Sequence, residues 1–159
     1  MKNDNGEIVA YVGFQRDVSE IQKSEEKIIP VSYGCIRTSA NKQTPERLLE
    51  IYNETNALFE KYDPQTVAIE KLFFNKNVTS AMRVSEARGV ILLAAQQKQI
   101  PVFEYTPARI KQAITGSGNA EKRQMQEMIK SLLGMDELPR HEDAADGFSI
   151  ALFHIHIMR

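Results

Sequence analysis

Thr66 to Glu70 read TVAIE, a continuous run of strand-forming residues that ends in a carboxylate. Such a run is typical of a strand buried on both faces, as strands of a parallel sheet are. Working outward, Asp63-Pro64 ends a helix on one side, and a long helix is predicted from about Val78 to Lys98 on the other. A second short strand, Pro101 to Tyr105, follows that helix. The alternation of strands and helices predicts an α/β layered fold.

The rest of the chain extends this pattern in both directions. Upstream, the predicted elements are a strand at 7–14, a short helical stretch at 19–28, a strand at 29–38, and a helix that Thr44 caps with Pro45 at its first position. Downstream, they are a helix opened by Pro107, a loop from Thr115 to Asn119, a helix ending at Leu133 and closed by Gly134, and a last helix from about Glu142 to Ile157.

Length and composition describe an ordinary globular protein. The chain has 159 residues, of which 42% are hydrophobic and 26% charged, so one domain is expected rather than a disordered or fibrous chain. The longest apolar runs are too short to span a bilayer, and the polar first residues do not form a signal peptide. A single cysteine, Cys35, fits a reducing compartment. We therefore expect a cytoplasmic protein.

The net charge of -1 hides an uneven distribution. Residues 71–130 carry ten basic and four acidic side chains, whereas residues 1–29, 30–70 and 131–159 each carry an excess of acids. This pattern fits a basic surface beside a cluster of carboxylates. The alternative is that Lys and Arg simply occupy the solvated faces of helices.

Three carboxylates stand out as candidates for a metal site. Glu70 lies where a buried strand ends, and the carboxyl ends of such strands are where ligands bind in open α/β sheets. Asp143 and Asp146 are three residues apart on the last helix and therefore share a face. Oxygen ligands of this kind suit Mg²⁺ or Mn²⁺. Alternatively, Asp143 interacts only with its helix dipole and Glu70 only with a neighbouring lysine.

Six blocks of sequence, in order and at approximately the right spacing, resemble the RuvC family of Holliday-junction resolvases. They are GCIRT (34–38), VAIEKLFFNKN (67–77), EARGV (86–90), PVFEY (101–105), GSGNAEK (116–122) and EDAADGFSIA (142–151). The resemblance implies an RNase H-like fold, with a mixed central sheet flanked by helices. It also implies a homodimeric, Mg²⁺-dependent endonuclease that nicks four-way DNA junctions in recombination and repair, uses two metal ions, and works with a branch-migration helicase complex.

The resemblance also implies roles for individual residues. Glu70, Asp143 and Asp146 match three of the family's four metal-binding acids. Phe73 matches an aromatic that stacks on a base near the junction. Lys111 and Lys122 match basic residues beside the scissile phosphate, so both are expected to bind DNA and Lys122 to act in catalysis.

Several alternatives stay open. Arg88 is expected either to bind DNA or to pair with Glu86 on its own helix. The loop before Lys122 either brings helix N–H groups towards a phosphate or is only a turn with Asn119 as the helix cap. A metal site built from His141, His154 and His156 is disfavoured, since the last two do not share a helical face.

The chain departs from the family at its start. RuvC proteins open with a strand carrying an aspartate in an Asp-Pro-Gly motif, which is absent here; Asp4 imitates it only weakly. Residues 3–28 instead resemble the closing segment of a PAS domain. We expect residues 1–29 to be a PAS-tail-like segment and residues 30–159 an N-terminally incomplete RuvC-like domain. The strand at 7–14 is expected to pair beside the strand at 29–38 as a substitute.

Three functions follow from these observations. The first is a junction endonuclease. The second is a junction-binding remnant, because a site with three acids rather than four is expected to lose catalysis more than DNA binding. The third, and least favoured, is a PAS-related signalling fragment.

Overall fold

The computed structural model describes residues 8–16, 28–72, 78–135, 137 and 142–158; within them, residues 8–16, 29, 78–80 and 142–145 are described by their backbone only. The strands are β1 (Ile8–Arg16), β2 (Ile28–Ile36), β3 (Val67–Glu70) and β4 (Val102–Tyr105). The helices are α1 (Thr44–Tyr62), α2 (Val78–Gln97), α3 (Pro107–Thr115), α4 (Lys122–Leu133) and α5 (Glu142–Ile157). The predicted helix at 19–28 lies almost wholly outside the described residues.

The first two strands form an antiparallel pair. Their register runs from Ile8 opposite Ile36 to Arg16 opposite Ile28. It shifts by one residue between Val9 and Tyr11 and shifts back between Gly13 and Phe14. This pairing confirms the expectation that the strand at 7–14 joins the strand at 29–38. Helix α5 packs against β1 as well as against β3, so the N-terminal strand belongs to the same packed structure as the rest of the chain.

β3 and β4 form a parallel pair, in which Glu70 stands opposite Tyr105. The crossover between them is α2, as a parallel connection requires. β3 is half-buried along its length rather than fully buried as its sequence predicts. Among the described residues, β3 is hydrogen-bonded to β4 alone, which leaves its other edge without a described neighbouring strand.

Local sequence accounts for where the helices begin and end. α1 ends at Asp63, which adopts a left-handed conformation, and α4 ends at Gly134 with φ of 60°. The predicted cap of α1 is wrong, because the backbone turns into the helix at Gln43 rather than at Thr44. The cap of α4 is Glu121, and not Asn119 as in one of the two alternatives for this loop. In α4, the backbone N–H of Glu121 donates to the side chain of Gln124, 3.0 Å away.

The core gathers around α5. Phe148 on α5 is completely buried, and it belongs to a cluster that includes Ile110 of α3, Ile129 of α4 and Tyr105 of β4. A smaller cluster joins α1 and α2 through Phe59, Ala94 and Ala95. Helix α5 packs against both β3 and the helices, and Asp146 on it lies within electrostatic range of Glu70 at the end of β3. In the part of the chain that the structure describes, no helix has the length and apolarity needed to cross a membrane.

Candidate metal centre and nucleic-acid interface

Glu70 is the last residue of β3, and two hydrogen bonds hold the peptide group that follows it. The backbone N–H of Lys71 donates to the carbonyl oxygen of Tyr105 at 2.8 Å, which continues the ladder with β4 by one bond. The carbonyl oxygen of Glu70 accepts a hydrogen bond from Nε of Arg88 at 3.2 Å. The side chain therefore leaves the sheet from a fixed backbone.

Two other predicted site residues, Asp146 and Lys111, affect the pKa of Glu70 through their charges. The pKa of the Glu70 carboxyl is raised, first because burial removes water from it and second because the negative charge of Asp146 repels its own. Lys111 on α3 acts in the opposite direction and lowers the same pKa. β3, α5 and α3 thus place two carboxylates and one ammonium group within electrostatic range.

For the other predicted site residues, the structure either gives their position in an element or does not describe them. Asp143 is in the first turn of α5, one turn before Asp146, but its side chain is outside the described residues. Phe73 and His141 are also outside them. Lys122 is the first residue of α4, after the loop that begins at Gly116. The roles assigned to these residues remain predictions.

Arg88 forms its described ion pair with a residue other than Glu86, and its predicted contact with DNA stays a prediction. Besides its bond to the Glu70 carbonyl, its guanidinium forms a salt bridge with Glu104 of β4, with 2.8 Å between nitrogen and oxygen. The side chain is only 20% exposed. Its described ion pair is therefore with a strand across the fold rather than with Glu86 on its own helix. No spacing in the sequence signals this pair, since the two residues are joined only by the packing of α2 on the sheet.

His154 is held between two hydroxyl groups. Its Nε2 lies 2.8 Å from Oγ1 of Thr66, and its Nδ1 lies 2.8 Å from the hydroxyl oxygen of Tyr105. Burial lowers the pKa of His154 and raises that of Tyr105. Since both ring nitrogens are engaged, His154 is a structural residue rather than a metal ligand. Sequence reasoning missed this network because its three members are far apart in the chain.

The donors near Glu70 fit a hard divalent cation. Mg²⁺ is commonly held by one or two carboxylates and completes its shell with water and substrate phosphate. Glu70 and Asp146 provide two carboxylates whose mutual repulsion a cation would relieve. Within the described side chains, no group of three or more His, Cys, Asp or Glu lies together. Asp143, one turn from Asp146, is the third candidate ligand by its place on α5.

Comparison with known proteins identifies close relatives. The sequence model of a family described as crossover junction endodeoxyribonuclease RuvC matches residues 14–154. The crossover junction endodeoxyribonuclease RuvC of Desulfitobacterium hafniense is 48% identical over 136 residues, which cover 86% of this chain and 82% of that relative.

Solved structures agree with the sequence comparison. The structure of Thermus thermophilus RuvC matches with a TM-score of 0.79 at 28% identity, covering 95% of this chain and 96% of that one. T. thermophilus RuvC in complex with a Holliday junction substrate gives the same TM-score at 26% identity, with 93% and 86% covered. These matches confirm the predicted RNase H-like α/β fold. Because the family match spans most of the sequence and the relative is nearly half identical over four-fifths of its own length, the chain belongs to the RuvC family of crossover junction endodeoxyribonucleases.

Proposed function

We propose that this protein resolves Holliday junctions in the cytoplasm by hydrolysing phosphodiester bonds with the help of Mg²⁺ or Mn²⁺. The observation that carries the proposal is that the charges of Asp146 and Lys111 both act on Glu70 at the end of a parallel strand. The TM-score of 0.79 to a RuvC bound to a Holliday junction supports four-way DNA as the substrate. Family membership supports the reaction type.

The chain's own residues have separable tasks. Glu70, Asp143 and Asp146 would hold the cation, with two ions in a site that has the family's full set of acids. When bound, the metal supplies an activated water and stabilises the leaving oxygen of the phosphodiester. Lys111 and Lys122 would contact phosphate, which gives affinity without reading the base sequence. Phe73 would stack on an unpaired base at the branch point.

A second candidate is a junction-binding protein with impaired catalysis. It is favoured by the absence of an Asp-Pro-Gly motif anywhere in the sequence, because the family's fourth metal-binding acid belongs to that motif. The assignment of residues 1–29 to a PAS-like segment and of residues 30–159 to the nuclease domain accompanies this candidate as a proposal. DNA binding would survive in it, since the lysines are separate from the missing acid.

A cleavage assay on a synthetic four-way junction distinguishes the two candidates. The wild-type protein is expected to nick the junction with Mg²⁺ and to prefer it over linear duplex, and Glu70→Gln is expected to bind the junction but not to nick it. Glu54→Gln is the control, because Glu54 is an exposed acid on α1, away from Glu70. Junction binding with no nicking by the wild type would establish the second candidate. Preference for linear duplex would contradict both.

We further propose that the protein acts as a homodimer through one face of α2. Met82 and Leu93 are large apolar side chains that are 58% and 54% exposed, and Gly89 lies between them on the same face. The exposed Glu86 lies between these two side chains on the same face, so the face pairs exposed apolar groups with one charge, a composition that fits an interface with a second copy of the chain. Two symmetric cuts in one junction need two active sites, which a second copy of the chain supplies. A branch-migration helicase complex is the further partner that we propose.

Sedimentation velocity tests the dimer. Leu93→Glu is expected to convert the protein to a monomer at micromolar concentration, because it replaces an apolar contact by a second acid on the face that already carries Glu86. Arg83→Glu is the control, since Arg83 is exposed on a different face of α2. A wild-type protein that sediments as a monomer at high concentration would contradict the proposal.

A further inference from the structure

Arg88 fixes the peptide group that follows Glu70. That peptide contributes a carbonyl from Glu70 and an N–H from Lys71. The carbonyl accepts from Nε of Arg88 at 3.2 Å, and the N–H donates to the carbonyl of Tyr105 at 2.8 Å. The two polar atoms of one peptide unit are therefore both hydrogen-bonded, one to the neighbouring strand and the other to α2. This arrangement holds the peptide group next to the Cα from which the Glu70 side chain extends.

Glu104 completes the arrangement. It lies on β4, one residue before Tyr105, and Ile69 is its partner across the parallel ladder. Its carboxylate accepts from a terminal nitrogen of Arg88 at 2.8 Å. Only a guanidinium carries donors on a rigid fork that reaches a carbonyl and a carboxylate at the same time, whereas a lysine ammonium is a point charge on a flexible stem. Because Glu104 neutralises Arg88, the guanidinium charge is already matched within the protein.

We propose that Arg88 and Glu104 form a positioning pair that sets the orientation of Glu70 for metal binding, rather than a contact to DNA. This inference rests on the proposed function, because it takes Glu70 as a metal ligand. Glu70 and Asp146 repel each other while no cation is bound. A backbone that is free to rotate after β3 would let the Glu70 carboxylate turn away from Asp146 into water. The bond from Arg88 opposes that rotation.

The test compares metal binding with DNA binding in the full-length protein. Four variants are needed: Arg88→Ala, Arg88→Lys, Glu104→Gln, and Arg83→Ala as the control. Arg83 is an exposed arginine on the same helix, so its loss removes the same charge without touching β3. Mn²⁺ affinity is measured by isothermal titration calorimetry without DNA. Junction affinity is measured by gel shift in EDTA, and the Mg²⁺ concentration for half-maximal nicking is measured separately.

Arg88→Ala is expected to weaken Mn²⁺ binding about tenfold, the usual effect of losing a group that orients a metal ligand. Glu104→Gln is expected to weaken it by a smaller factor, Arg88→Lys to behave like Arg88→Ala, and Arg83→Ala to have no effect. Junction affinity in EDTA is expected to change less than about twofold in all four. If Arg88→Ala does not fold, Glu104→Gln and Arg88→Lys carry the same comparison.

Two outcomes would overturn the proposal. One is unchanged Mn²⁺ affinity in Arg88→Lys and Glu104→Gln. The other is weaker junction binding in EDTA by Arg88→Ala with metal affinity intact, which would make Arg88 a DNA contact. Failure of the proposed function looks different, because the wild-type protein would then neither bind nor nick the junction, while the variants would still differ from it in Mn²⁺ affinity.

Discussion

The surroundings of Glu70 disfavour its negative charge while no metal is bound and favour the binding of a cation. Its carboxylate is partly buried and faces the like charge of Asp146, and both conditions raise its pKa. The same two conditions make it a good place for a divalent cation. A charge kept in such a position is therefore expected to cost stability while the metal is absent and to be stabilised when the metal is bound.

Glu70→Gln is expected to be more stable than the wild type in EDTA at pH 7, by roughly 1 kcal/mol, which is the usual size of a single-residue effect. The reason is that glutamine keeps the side-chain shape and removes the repelled charge. For a chain of this length the melting temperature would rise by about 2–4 °C. Calorimetry in EDTA and in Mg²⁺ checks this, with Glu54→Gln, an exposed acid on α1, as control. A lower melting temperature for Glu70→Gln in EDTA would contradict it.

His154 makes stability depend on pH near neutrality. Burial lowers its pKa, so the unfolded chain binds a proton more readily than the folded one. The stabilisation is complete above the unfolded value of about 6.5 and is lost as the pH falls below it, with a slope of at most about 1.4 kcal/mol per pH unit. The hydroxyls of Thr66 and Tyr105 are the polar groups that contact the ring.

We expect His154→Gln to reduce this pH dependence between pH 7.5 and 5.5 and to lower stability at pH 7.5 by about 1–3 kcal/mol, because buried hydroxyls lose their partner. Urea denaturation at both pH values measures the two effects. His156→Gln serves as the matched control, since His156 is exposed on the last turn of α5. The same pH slope in His154→Gln and the wild type would show that another group titrates.

At the level of elements, α4 shows how a single glycine ends a helix. Gly134 has φ of 60° and ψ of 35°, and its N–H donates to carbonyls of the last turn. A Cβ added there would meet no atom within 4 Å, so any cost of a side chain comes from the backbone conformation.

Gly134→Ala is therefore expected to destabilise the protein by about 1 kcal/mol, and Gly134→Asn by less, because asparagine tolerates the left-handed conformation better than alanine. Chemical denaturation of both variants and the wild type measures this order. Equal stability of the alanine variant and the wild type would mean that the helix end rearranges to avoid the strain.

The same elements show what sequence can and cannot predict. The bounds of α5 match their prediction, and those of α2 differ from it by about one residue, because periodicity, Pro and Gly are local signals. The electrostatic proximity of Glu70 and Asp146 is predictable as well, because strand ends and helix faces follow rules, whereas the place of the Asp143 side chain stays a prediction. The bond from Arg88 to Glu104 and the His154 network are not, because they depend on how α2 and α5 pack on the sheet.

Across the whole molecule, the net charge of -1 is the sum of a basic stretch and of acidic segments to which we assign different functions. The carboxylates at the end of β3 would hold cations, while Lys111 and Lys122, within the basic stretch 71–130, would face DNA phosphates. These two charge systems meet where Lys111 lowers the pKa of Glu70. DNA binding is therefore expected to be salt-dependent and largely independent of the metal carboxylates.

Lys122→Ala tests this separation, because each lysine–phosphate contact releases counterions when it forms. The slope of log K against log salt for junction binding is expected to become shallower by about 0.9, the value for one lost phosphate contact. Gel shifts in EDTA from 50 to 300 mM salt measure it. Lys61→Ala is the control, because Lys61 lies in the last turn of α1, outside the basic region. If Lys61→Ala and Lys122→Ala reduced the slope equally, binding would depend on total charge, and the assignment of a phosphate contact to the start of α4 would be wrong.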